Sequence, residues 1–144
     1  MFSVKILQLH CDQVEYQPVK KEIPSAEETT KEKRTIEEAV LLLVSVEQGD
    51  DSSVISQAVE ELSKTRKQLG SDSIVVYPYA HLSSTLAKPE DARRILKELE
   101  DEAITQGFSV HHVPFGWNKA LLMKVKGHPL SDAFFSIVNI SPNP

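Results

Sequence analysis

Residues 73–107 read SIVVYPYAHLSSTLAKPEDARRILKELEDEAITQG. The run Ile74, Val75, Val76, Tyr77 is short, apolar and β-branched, the pattern of a strand buried on both faces. From Pro89 onward the period changes. Ala92, Ile95, Leu96, Leu99 and Ala103 recur at helical spacing, Pro89 suits the first turn, and Glu90 and Asp91 complement the positive end of a helix dipole. Gly107 follows as a stop, so a helix is predicted over 89–106. A polar connection of ten residues, 79–88, separates strand from helix and carries His81, Ser83, Ser84 and Thr85. Such connections usually take about two to six residues. Long polar loops at strand ends are where mixed sheets commonly hold ligands.

On the N-terminal side, AVLLLVSVE at 39–47 is a continuous apolar run that suits a central strand. Ile55, Ala58, Val59, Leu62 and Leu69 return to helical spacing, with Gly70 placed as a cap, giving a helix over 52–69. At the start, VKILQLH and DQVEYQPV read as two strands broken near Cys11 and Asp12, an arrangement compatible with a hairpin. The charged segment VKKEIPSAEETTKEKR that follows reads as a solvated, mobile loop. FSVHHVP and KALLMKVKG read as strands joined through FGWN in a second hairpin, and LSDAFFSIV as a short helix or strand. The order ββ-β-α-β-α-ββ implies an α/β or α+β class, a mixed sheet with two main helices on one face and a single domain over 1–144.

The balance of 40% hydrophobic and 26% charged residues is that of a globular domain, and no apolar run nears the roughly 20 residues that span a bilayer. The opening MFSVKILQLH lacks the features of a secretory signal, so no membrane partner and a cytoplasmic site are expected. One cysteine, Cys11, excludes an internal disulfide and reads as a small packed residue. A net charge of −5 argues against a large surface tracking duplex nucleic acid, but leaves room for a local patch holding the end of a single strand. No GxGxxG, Walker-type loop, GxSxG elbow or HExxH is present, and the adjacent His111 and His112 would point to opposite faces of a strand, so no metal site is expected. Lys119, Lys124 and Lys126 make a locally basic stretch. With strand alternation, Lys124 and Lys126 face one way and Lys119 the other, at a turn from which it can reach a pocket mouth.

The segments VYPYAHLSSTLAKP and PFGWNKA…KGHPLSD, with weaker matches in LQLHCDQVEY, VSVE and AVEELSK, resemble the N-terminal editing domain of archaeal-type threonyl-tRNA synthetase, in order and over nearly the whole chain. The resemblance implies a D-aminoacyl-tRNA deacylase-like fold and proofreading hydrolysis of L-seryl-tRNA(Thr), with the terminal 2′-hydroxyl assisting. The need for such a step is physical: one missing methylene gives only ~1–3 kcal/mol of discrimination, so a second site must exclude threonine by size. The resemblance further implies Lys119 as the residue stabilising charge and positioning water, and His81 as the group orienting the 2′-hydroxyl. Val46, Glu47, Pro78, Tyr79, Ala80 and Trp117 would wall the pocket. Asp132, where many relatives carry glutamate, would hold the substrate amine or fix the lysine, and Asn118, standing where a tyrosine is common, would meet the substrate through its amide or a water. Also implied are a homodimer, the tRNA(Thr) 3′ end as partner, and a synthetase catalytic domain, in cis or in trans, that alone needs ATP and zinc; this domain would need no cofactor. The competing readings are a D-aminoacyl-tRNA deacylase checking chirality and a non-catalytic module that binds tRNA ends.

Overall fold

The computed structural model describes residues 3–49 and 52–138. Its elements are β1 (Ser3–Lys21), β2 (Arg34–Ser45), α1 (Ser53–Leu69), β3 (Ser73–Pro78), α2 (Pro89–Thr105), β4 (Ser109–His112), β5 (Trp117–Val125) and β6 (Asp132–Val138). The sheet runs β4-β3-β2-β1-β5, with β6 also paired to β1. β2, β3 and β4 are parallel neighbours, whereas β2, β5 and β6 are each antiparallel to β1. This is the mixed α+β sheet with two helices that the sequence implies.

Both faces of β3 and of the 39–45 half of β2 are buried, by different means. Val40, Leu42, Val44, Ile74 and Val76 face the helices, meeting Val54, Ala58 and Leu62 of α1 and Ile95, Leu99 and Ala103 of α2. The intervening residues Ala39, Leu41, Leu43, Val75 and Tyr77 pack in a second cluster with Leu9, Cys11, Val14 and Tyr16 of β1. All five residues assigned to the inner face of α2 are buried, and Gly70 caps α1 at φ 67. Leu69 is half-buried against the core.

The expected N-terminal hairpin is instead one strand of 19 residues. Cys11 and Gln13 both remain paired to β2, so no turn intervenes. What the polar break encodes is a bulge: the register of β1 against β5 slips by one between Cys11 and Gln13, and Glu38, opposite, adopts φ 49. The extra residue moves the buried positions from odd (Leu9, Cys11) to even (Val14, Tyr16), so one face stays apolar while the strand bends. Bent this way, the arm of β1 and β5 lies across the sheet face. The Tyr16 hydroxyl donates to the His112 carbonyl of β4 at 3.3 Å, and Lys119 Nζ sits 5.0 Å from the Tyr77 ring centre on β3.

The second expected hairpin also fails. Among the described residues β4 pairs with β3 alone, and β5 with β1, so 113–116 crosses the end of the sheet between its two edges. Alternation identified each strand's faces but carried no information about its neighbour. LSDAFFSIV supplies β6, a strand. The charged segment after β1 is fixed rather than loose: Ala26 is buried, Arg93 donates to the Ser25 carbonyl at 3.1 Å, and Trp117 Nε1 donates to the Glu27 carbonyl at 2.7 Å.

Candidate active site

The carboxyl ends of β2 and β3 open onto a cavity of about 220 Å³. Val44, Val46 and Pro78 form its floor, Ala92 and Leu96 of α2 one wall, Phe115, Gly116 and Trp117 another, and Tyr79, Ala80, Leu86 and Ala87 its rim. Crevices at the carboxyl ends of parallel strands are the usual ligand sites of such sheets.

Lys119 enters this cavity from β5. Its ammonium donates to the carbonyls of Pro114 and Trp117, both at 3.0 Å, and lies over the Tyr77 ring. Burial lowers its pKa to about 8, with Glu22 and Glu27 pulling the other way, so it stays mostly protonated at neutral pH. Two of three N–H donors are used within the protein, which leaves one for a water or a substrate oxygen.

The long loop is tied down by its own polar residues. Tyr79 N donates to the Val44 carbonyl and Ala87 N to that of Val46, both at 2.9 Å. The buried Glu47 carboxylate accepts from the Ser83 hydroxyl, from Thr85 Oγ1 at 2.9 Å, and faces Lys5 Nζ at 3.7 Å. Glu47 therefore anchors the rim and does not line the cavity. Two of the three loop hydroxyls that stand out in the sequence, those of Ser83 and Thr85, offset the cost of burying this acid.

Of the residues that the sequence singles out, Val46, Pro78, Tyr79, Ala80, Trp117 and Lys119 converge on the cavity. His81 is exposed on the rim, its ring edge-on to Tyr79 with centres 5.3 Å apart. Three expectations are corrected, that for Glu47 as above and two more. Asn118 is exposed and, one residue from Lys119 on a strand, projects from the other face. Asp132 opens β6 opposite Leu9, nine positions along β1 from Pro18, which pairs with Lys119. It is exposed and outside the cavity, so within this chain it cannot fix the lysine.

The acid that does line the cavity is Glu22, from the segment read as a solvated loop, and Ile23 joins it. Glu27, five residues on, clamps the crossing segment. Its Oε1 accepts from Phe115 N at 3.0 Å, and its Oε2 meets His112 Nε2 at 2.7 Å, while the other ring nitrogen of His112 meets Glu100 at 2.8 Å. The Glu100 and Glu27 hydrogen bonds push the imidazolium pKa up to about 10. Burial works to raise the Glu27 carboxyl, but His112 and the Phe115 N–H outweigh it and hold it low. No sequence pattern signals this clamp, because its members lie 85 and 12 residues apart along the chain. Cys11 is buried within β1, its thiol pushed up to about 11 by burial, and so is inert. Among the described residues no group of three or more His, Cys, Asp or Glu side chains is placed to hold a metal.

A family model described as the archaea-specific editing domain of threonyl-tRNA synthetase matches residues 4–137. The threonine–tRNA ligase of Nitrosopumilus maritimus is 47% identical over 131 residues, 90% of this chain and 21% of the relative. That of Methanocaldococcus jannaschii is 41% identical over 138 residues, 94% of this chain and 22% of the relative. The chain thus spans about a fifth of the length of these relatives. Among solved structures, the c-Myc DNA Unwinding Element Binding Protein aligns with TM-score 0.62 at 9% identity, covering 96% of this chain and 99% of that one, a likeness of fold alone.

Proposed function

This chain belongs to the archaea-specific editing domains of threonyl-tRNA synthetase, and from that premise we propose that it hydrolyses the ester joining L-serine to tRNA(Thr). The observation that carries the proposal is the half-buried Lys119 ammonium, held by two carbonyls inside a cavity at the carboxyl ends of β2 and β3.

The ester carbonyl enters beside Lys119, whose remaining N–H meets the oxygen on which charge develops as water adds. A preorganised cation in a partly water-excluded site stabilises that charge more than solvent would. The leaving ribose oxygen takes its proton through the adjacent 2′-hydroxyl, which His81 orients from the rim. Glu22, the carboxylate lining the cavity, receives the serine ammonium in the role that Asp132 does not fill here. Size selection falls to the surrounding wall, where threonine's extra methyl finds no room. No cofactor is required. The rest of the synthetase, joined in cis or acting in trans, carries out the aminoacylation that needs ATP and zinc. Exposed Met123 and Val125 on one face of β5, with Leu130 and Phe134 on the following connection and β6, offer apolar side chains for a homodimer contact.

Lys119→Met tests the assignment. It should lower the rate of serine release on the order of 10²–10³-fold, while affinity for a non-hydrolysable seryl-adenosine analogue changes far less. A variant that keeps the wild-type rate removes Lys119 from the chemistry.

A further inference from the structure

Beside the cavity, α2 lines a second, wider groove of about 680 Å³. Its walls are Lys88, Arg93, Arg94 and Lys97 on one side and Ser25 and Phe115 on the other, with Glu90 the one acid among the lining residues. In a chain of net charge −5, four cations line the groove against one acid, with Asp91, Glu98 and Asp101 pairing with Arg94 and Lys97 just outside the lining. The groove shares Pro89 and Phe115 with the Lys119 cavity, so the two form one continuous surface.

The cations differ in how they are held. Arg93 is fixed by its bond to the Ser25 carbonyl. Arg94 and Lys97 are held by exposed pairs along their own helix, Arg94 with Asp91 at 4.0 Å and Glu98 at 3.6 Å, and Lys97 with Asp101 at 3.3 Å. Pairs of this kind contribute little, and their cations readily exchange a carboxylate for another anion. From Pro89 to Lys97 the helix rises about 12 Å, the reach of a short run of consecutive phosphates. Phe115, half-buried at the lip, adds an aromatic surface. A basic track beside an aromatic ring that keeps part of its surface open is the combination that grips single-stranded nucleic acid without reading its sequence.

We propose that this groove binds the backbone of a single-stranded RNA 3′ end, taking the phosphates of the nucleotides that precede the terminal adenosine and feeding that adenosine over Phe115 into the Lys119 cavity. The proposal rests on the editing reading for its substrate but makes a separate claim about binding.

The test uses the whole chain and a single-stranded RNA tetranucleotide ending in adenosine, with affinity followed by fluorescence anisotropy over a range of salt. The double variant Arg94→Glu, Lys97→Glu should bind at least tenfold more weakly, and the slope of log affinity against log salt should flatten by roughly 0.7 for each phosphate that is no longer neutralised. Arg94→Lys, Lys97→Arg, which keeps the charge, should bind within about threefold of wild type. In parallel, the preference in kcat/KM for seryl-tRNA(Thr) over the seryl ester of adenosine alone should fall about tenfold in the charge-reversed variant. Unchanged affinity and salt slope, or an equal loss in the charge-preserving variant, overturns the groove. A wild-type chain that releases no serine from either ester overturns the editing reading instead, and the tetranucleotide measurement still decides the groove.

Discussion

Lys119 is kept charged where charge is unfavourable. Unfolded, its ammonium titrates near 10.5; in the cavity, burial lowers that to about 8. Below pH 8 both states hold the proton, so the full cost of burying the cation is present. Between about 8 and 10.5 the folded form has released the proton and the unfolded form has not, and that cost diminishes as pH rises. Thermal melts should therefore show Lys119→Met more stable than wild type at pH 7, with the gap closing by pH 10. Serine release should be flat from about pH 6 to 7.5 and decline through about 8, because the ammonium is the working form. A rate that rises through pH 8 would make the neutral amine the active species. Lys119 was legible in the sequence, since alternation separates it from Lys124 and Lys126 and the preceding turn aims it inward. Glu22 was not: it is one acid in a charged run, and only the fold shows which member of that run meets the cavity.

Among the elements, the crossing segment 113–116 shapes the site, and two of the contacts that hold it lend themselves to substitution. Gly116 has φ 85, and a Cβ there would lie 2.8 Å from Ala26 Cα. Gly116→Ala should cost at least ~1–3 kcal/mol from backbone strain alone, read as a lower denaturation midpoint together with a raised KM. An unperturbed midpoint would mean that the 22–33 segment does not press on the crossing. The second contact is the Glu27–His112–Glu100 clamp. His112 titrates near 6.5 unfolded and about 10 folded, so its contribution to stability is complete below about pH 6.5 and is lost as pH rises through about 10. Lys119 changes in the opposite sense at the alkaline end, so the informative quantity is the difference in Tm between wild type and His112→Gln. That difference should hold constant below about pH 6.5 and narrow from there to pH 10, and one that stays constant throughout would contradict the ion-paired clamp. The same segment defeats a reading from sequence. FGWN between two alternating runs looks like a hairpin turn, yet β4 and β5 end up on opposite edges, because parallel pairing to β3 and antiparallel pairing to β1 are satisfied only in the folded sheet.

For the molecule as a whole, the class of fold and both helices were legible because apolar period is a local signal, and the central strand because a run buried on both faces has no polar alternation to hide it. Strand order was not local and could not be read. The bulge at Asp12 explains why: one inserted residue turned what looked like two strands into a single bent one and brought β5 over the face of β3, carrying Lys119 to Tyr77. The cavity exists because of that bend, and the proposed proofreading stands or falls on whether it shuts out a methyl group. The deciding measurement is the rate of amino-acid release from seryl-tRNA(Thr) and threonyl-tRNA(Thr) by the purified chain under single-turnover conditions. Serine should be released rapidly and threonine slower by at least about tenfold, the discrimination one methyl group allows; equal rates for the two esters would contradict exclusion by size.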